Sequence, residues 1–414
     1  MALLPHIELE KPFQWANKST WKTNILGSCV AFWVSFTILG GNLLVAEKAG
    51  KEVVPGVLLF FFLFGLPTSV FSGLLGRTMS RKTVLYMGLA LMMMGTIAIN
   101  FVNSFGLFAL SYILIAIGYF PVISITGHLN HDFLGDNQKS LSRGRSFWGT
   151  LNYVAAACTA FAILMINHGL EKVWFATSMV ALVGAASVLM FIKEELAVKE
   201  HSFTMPDEDR LPFYQQLLTK DKSVRFSWQY VLVIAGSLAV RMWPVFFMEE
   251  WVAVAMIFCG ELANGLSGPL QVRMSQWLTK KDKATQRQIA RNVSNHTLIV
   301  YGFALMFICM GVWIPELNIL GAIMIGVTVR IFSYLEITQA DQTGRGAYTF
   351  FFITSIGQCL GCVVALISMS VLGIVLSLMP FVVIGIVYYN RTMLIHVISN
   401  IKLSDRIKTW RAVK

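Results

Sequence analysis

A glutamate in the middle of an uncharged run is the residue of this sequence best placed to do chemistry. Glu261 is the only acidic or basic residue between Trp251 and Val272. Asn264, Gly265 and Gly268 follow it at helical spacing, so an amide and two small residues share its face. A carboxylate with so little solvation favours its neutral form. That property suits a group that loads and releases a proton. The competing reading is a structural pair with a neighbouring cation, and two arginines are available. Arg241 and Arg330 each interrupt an apolar run, and Glu336 follows Arg330 in the same run. A guanidinium stays charged and grips a carboxylate or phosphate with two parallel hydrogen bonds. Two of them facing one cavity would suit an anionic substrate; charge balance against Glu261 and Glu336 is the alternative.

Weaker signals come from polar residues on small-residue faces. Thr354, Gln358 and Gly361 share one face of a later apolar run, and Gly149, Asn152, Ala156 and Thr159 share another. Such faces favour close helix packing over cavity lining. Gln358 and Asn152 are nevertheless kept as candidate substrate contacts. Tyr119, two residues before Pro121, either lines a cavity or marks a bend. His128, His131 and Asp132 read as a solvated helix end, with metal binding or pH sensing as the lesser reading. Cys359 and Cys362 form a C-x-x-C inside an apolar run with no second ligand pair nearby, which reads as packing.

These residues need elements that can hold them, and composition says what those elements are. The chain has 414 residues, 56% hydrophobic and 13% charged. A soluble domain carries about 25% charged residues. Apolar runs of about 20 residues, enough to cross a bilayer as helices, recur throughout. They fall near 24–46, 53–75, 83–102, 105–127, 146–167, 173–192, 226–248, 251–272, 293–314, 317–339, 347–370 and 371–390. Charge tests this map independently, because Lys and Arg favour the cytoplasmic side. With the N-terminus inside, 28 of the 33 Lys and Arg fall on that side, three outside, and two (Arg241 and Arg330) within spans. A wrong span count would mix the columns, so twelve spans with both termini cytoplasmic are expected. The net charge of +11 is then topological and does not point to nucleic acid. Four segments follow: a six-helix bundle over 1–192, a cytoplasmic central loop over 193–225, a second bundle over 226–390, and a basic tail over 391–414. The tail is partly amphipathic and either lies on membrane lipid or is simply solvated.

The two halves resemble each other. Gly65, Ser72, Gly73, Leu75, Met79 and Ser80 match Gly260, Ser267, Gly268, Leu270, Met274 and Ser275 at one offset of 195. Ile117-Gly118 matches Ile325-Gly326, and Gly144-Arg145 matches Gly344-Arg345. Ordered matches of this kind indicate a parallel duplication, which puts a binding site near the membrane midplane between the halves. On these features the chain resembles the major facilitator superfamily along essentially its whole length. The loop after the second span reads GLLGRTMSRK. Gly73, Arg81 and Lys82 fit the family's loop, and Arg77 stands where the family carries an acidic residue. The resemblance implies that these four form a gating loop. The arginine usual in the fourth span and the proline pattern of exporters in the fifth are not present.

The expected fold is therefore all-α and polytopic, with twelve transmembrane helices in two pseudo-repeated halves. The expected function is secondary transport by alternating access, coupled to protons through Glu261. The expected cargo is a small amphiphilic or anionic organic molecule, drug- or siderophore-like, exported past Arg241, Arg330, Asn264, Gln358, Asn152 and Tyr119. Two rivals stand beside it: an importer or passive facilitator of a nutrient, and a receptor or assembly factor on a transporter fold. No nucleophile–base set suggests an enzyme, no phosphate-cradling loop suggests ATP drive, and no cofactor is expected. The partners are a small-molecule substrate, protons and lipid, with the chain a monomer in a bacterial inner membrane.

Overall fold

A computed structural model of the chain describes residues 18–134, 138–192, 230–238, 248–270, 283–311, 313–342 and 346–370. Among these residues there is helix and no strand. In hydrocarbon no water satisfies a backbone N–H or C=O, so the chain closes its own hydrogen bonds within each segment. The first half contains α1 (Lys18–Ala49), α2 (Val54–Thr78), α3 (Arg81–Phe101), α4 (Phe105–Leu134), α5 (Gln138–Ala157), α6 (Phe161–Asn167) and α7 (Glu171–Met190). The second contains a helical segment over 230–238 and then α8 (Glu250–Leu266), α9 (Lys283–Met310), α10 (Pro315–Gln342) and α11 (Gly346–Ser370). Among the described residues, nine segments are long and apolar enough to cross a membrane. They correspond to the expected spans 1 to 6 and 8 to 10. The eleventh is present as α11, whose described apolar part runs over Ile353–Leu366. The seventh is described only over 230–238; the twelfth, the central loop and the basic tail lie outside the described residues.

The fifth span differs from expectation. It is not one continuous α-helix, because a 3₁₀ turn over Cys158–Ala160 separates α5 from α6. The run Ala155–Ala160 has only small side chains, and the Thr159 hydroxyl donates to the Ala156 carbonyl at 2.5 Å, three residues back. That bond tightens the turn.

The duplication is visible in the packing. In the first half α4 packs on both α2 and α3; in the second, α10 packs on both α8 and α9. The matched glycines Gly65 and Gly260 do the same work. A side chain at Gly65 would overlap Phe120 of α4, and Gly260 lies against the Ala322 carbonyl of α10. The halves meet through α5 on α8 and α2 on α11. Exchanging the halves turns one pair into the other, as a twofold relation between repeats requires.

Helices alternate in direction, so the molecule has a near face, where α1 begins, and a far face, where α1 ends. At the near face the Lys22 ammonium donates to the Phe191 carbonyl at 2.7 Å. Lys82 donates to the carbonyls of Met190 and Ile192, each at 3.3 Å. Two cations thus satisfy the open C-terminal end of α7 and oppose its dipole. Toward the far face Ala253 of α8 and Cys362 and Ala365 of α11 enter the core of the first half.

Candidate functional site

α8 is held from two sides. Gly326 of α10 approaches so closely that a side chain there would overlap the Gly260 carbonyl. On the other side Gly265 lies against the Thr150 carbonyl and the Cβ of Tyr153 in α5, and the Thr150 hydroxyl donates to the Gly265 carbonyl at 2.9 Å. Two glycines of α8 beside Glu261, Gly260 and Gly265, therefore bring three helices from two halves together. Glu261 is 8% exposed at this junction and Asn264 is fully buried.

Asn264 is unusual among buried polar groups. Among the described residues, neither its amide nitrogen nor its amide oxygen has a hydrogen-bond partner. A buried amide left in that state costs about 1–3 kcal/mol. The side chain thus offers the two N–H donors of its amide nitrogen and the acceptor oxygen to whatever reaches it.

Arg330 crosses from one half to the other. It sits on α10, one turn after Gly326, and is 7% exposed. Its guanidinium lies over the Tyr153 ring of α5, with the central carbon 5.4 Å from the ring centroid. A side chain at Gly149 would occupy the same place as the guanidinium. Gly149 and Tyr153 are one turn apart on α5, so a bare backbone and an aromatic face form a cradle for the cation. The Tyr119 phenol of α4 lies near that of Tyr153. The Tyr119 ring packs against Phe61 and Phe120, with centroids 6.1 and 5.3 Å apart. The arrangement runs from a buried cation in the second half to an aromatic wall in the first.

The other candidates are dispersed. Asn152, on α5, accepts a long 3.4 Å hydrogen bond from the Ser28 hydroxyl of α1 within the first half. Gln358 is half-buried on α11. The rest of its face packs as expected: Gly361 lies on the Ala235 carbonyl, and the hydroxyls of Thr354 and Tyr230 are 2.9 Å apart. Cys359 and Cys362 are free thiols, the second fully buried in the core. Arg241 lies outside the described residues, as do the side chains of Gly73, Arg77, Glu336, His128, His131 and Asp132. Arg81 is half-buried at the start of α3, where the Ser80 hydroxyl caps the helix by accepting from the Thr83 N–H. The described contacts of Lys82 are those with the end of α7, inside its own half.

Sequence reasoning missed Tyr153 and Thr150. The available signal was their position: Tyr153 is four residues after Gly149, the small residue that faces Arg330.

No protein-family model matches the sequence, and no curated protein matches it. Solved structures do match its fold. The nucleoside transporter NupG aligns with a TM-score of 0.65 at 14% identity, covering 92% of this chain and 99% of that one. A POT family transporter in complex with 5-aminolevulinic acid gives 0.64 at 11%, covering 92% and 97%. A peptide transporter POT gives 0.58 at 11%, covering 91% and 96%. The chain shares the fold of these transporters, an all-helical fold of the kind its repeat and span pattern led one to expect.

Proposed function

We propose that this membrane protein is a proton-coupled secondary transporter of a small organic anion. One observation carries the reading. A buried arginine of the second half is cradled by a glycine and a tyrosine of the first, beside the helix that carries Glu261 and Asn264. A charge at that depth costs several kcal/mol, and a site between the halves is where rocking one half on the other changes access. Arg330 supplies the fork for a carboxylate or phosphate, Asn264 an amide that both donates and accepts, and Tyr119 and Tyr153 an aromatic wall. Glu261 takes up and gives back the proton. Alternating access follows if an anion on Arg330 loosens its hold on α5.

Two directions use the same site. Export of a drug- or siderophore-like molecule is the reading of the sequence. Import of a small polar nutrient is favoured by the likeness to transporters of nucleosides and peptides. Untargeted comparison of metabolites inside and outside cells with and without the gene separates them. Export predicts a compound that accumulates inside on deletion and falls outside. Import predicts one that stays outside and falls inside. No change under any growth condition would reject transport and favour a receptor.

A further inference from the structure

At the far face a further polar contact joins the halves, well away from Arg330. Its geometry begins in the sequence Asn167-His168-Gly169-Leu170. The Gly169 N–H reaches the Ile166 carbonyl at 3.0 Å and the Leu170 N–H reaches Met165 at 2.7 Å. Gly169 has φ 72°, in the left-handed region that favours glycine. This terminates α6 with Asn167 as its last residue and His168 as its cap, both turned toward α8. The Asn167 amide donates to one carboxylate oxygen of Glu250 at 3.1 Å, and His168 Nε2 lies 3.2 Å from the other. Glu250 opens α8, where the helix dipole favours an anion. One carboxylate of the second half is thus held by two side chains of the first, one of them an imidazole, the side-chain type that can be neutral or cationic.

We propose that Asn167, His168 and Glu250 form a proton-sensitive latch that holds the far face closed. With neutral imidazole the contact is a single hydrogen bond to a carboxylate, made only in the tautomer that carries the proton on Nε2. With imidazolium it becomes a charge-assisted pair, so closure is favoured as pH falls and relaxed as pH rises. The charged groups of the surrounding elements are carboxylates and ammonium groups. They are Glu47 and Lys48 at the end of α1, Glu171 and Lys172 at the start of α7, and Glu249, which accepts from Trp251 Nε1 at 2.6 Å. His168 and Glu250 are both part-exposed, with side chains 66% and 33% accessible. Solvent screens such a pair, and the closed-to-open ratio is expected to change by about two- to fivefold. The latch rests on the reading of the chain as two rocking halves but is independent of Glu261 and of the substrate.

The test uses the full chain alone in nanodiscs, where both faces meet the same buffer. Spin labels on ketone-bearing amino acids at Phe101 and Trp313, exposed at the far ends of the two halves, report the opening by electron–electron distance. Between pH 8 and pH 5.5 the short-distance population should rise in the unsubstituted protein and in Glu261→Gln. The rise should be absent in His168→Gln and in Glu250→Gln. A rise that survives in His168→Gln, or that vanishes only in Glu261→Gln, would assign the response to another group and overturn the latch. A distance that never changes with pH in any variant would overturn it too.

Discussion

The cradle under Arg330 can be broken with a single methyl group. Gly149→Ala would normally stabilise a helix by about 0.5–1 kcal/mol, because glycine loses more backbone freedom on folding. Here the new methyl takes the place of the guanidinium. Overpacking costs about 1–3 kcal/mol, and losing a desolvated cation–aromatic contact costs about 0.5–2 kcal/mol more. The guanidinium is the end of a flexible side chain and can swing aside, which favours the lower end of both ranges. After the helix gain is subtracted, the net expectation is a loss of about 0.5–1 kcal/mol, read as a lower midpoint of thermal unfolding in nanodiscs. Gly127→Ala in α4 is the control, since a side chain there meets nothing within 4 Å among the described residues, and it should be neutral or stabilising. In an Arg330→Gln background the shorter side chain clears Gly149, and Gly149→Ala should then behave like the control. If Gly149→Ala stabilises as Gly127→Ala does, or if its effect is the same with and without Arg330, the cradle does not exist.

Other consequences follow from the same geometry. Asn264→Ala removes an unsatisfied amide worth about 1–3 kcal/mol and leaves a cavity of similar cost. Its unfolding midpoint should therefore stay near that of the unsubstituted protein, while apparent affinity for the transported anion falls tenfold or more; a large drop in midpoint would make the residue structural. Arg330→Lys keeps the charge but loses the planar fork and the stacking face, so anion affinity should fall sharply in a binding titration, and an unchanged affinity would remove Arg330 from the site. Gly40→Ala should cost at least about 2 kcal/mol, because the methyl meets the Trp174 indole, which is fully buried and donates to the Phe36 carbonyl at 3.1 Å; a normal melting profile would show that this contact is not tight.

The spans were legible because hydrocarbon demands runs of apolar residues and cations avoid the translocated side. The expected 83–102 became Arg81–Phe101, and 347–370 became Gly346–Ser370. The break after α5 was not legible, since alanine, cysteine and threonine are compatible with either an α or a 3₁₀ turn and the Thr159 hydroxyl decides locally. Glu261, Asn264 and Arg330 stood out because a polar group in an apolar run is costly wherever the helix turns. Tyr153 did not, because an aromatic residue in a span is ordinary until its partner helix is known. The same holds for His168 and Glu250, 82 residues apart: each is unremarkable at a helix end, and only the packing of α6 on α8 joins them. Lys82 shows the converse. The likeness of its loop to a gate drew attention to it, while its described contacts close the C-terminal end of α7.

The central claim is that Glu261 carries the proton that drives transport. Once the metabolite comparison has supplied the compound, the purified protein and Glu261→Gln can be compared in liposomes under two regimes. In one an imposed proton gradient drives net movement; in the other labelled and unlabelled compound exchange without a gradient. The account predicts that Glu261→Gln abolishes gradient-driven accumulation and leaves exchange intact. Accumulation that survives in Glu261→Gln would contradict it.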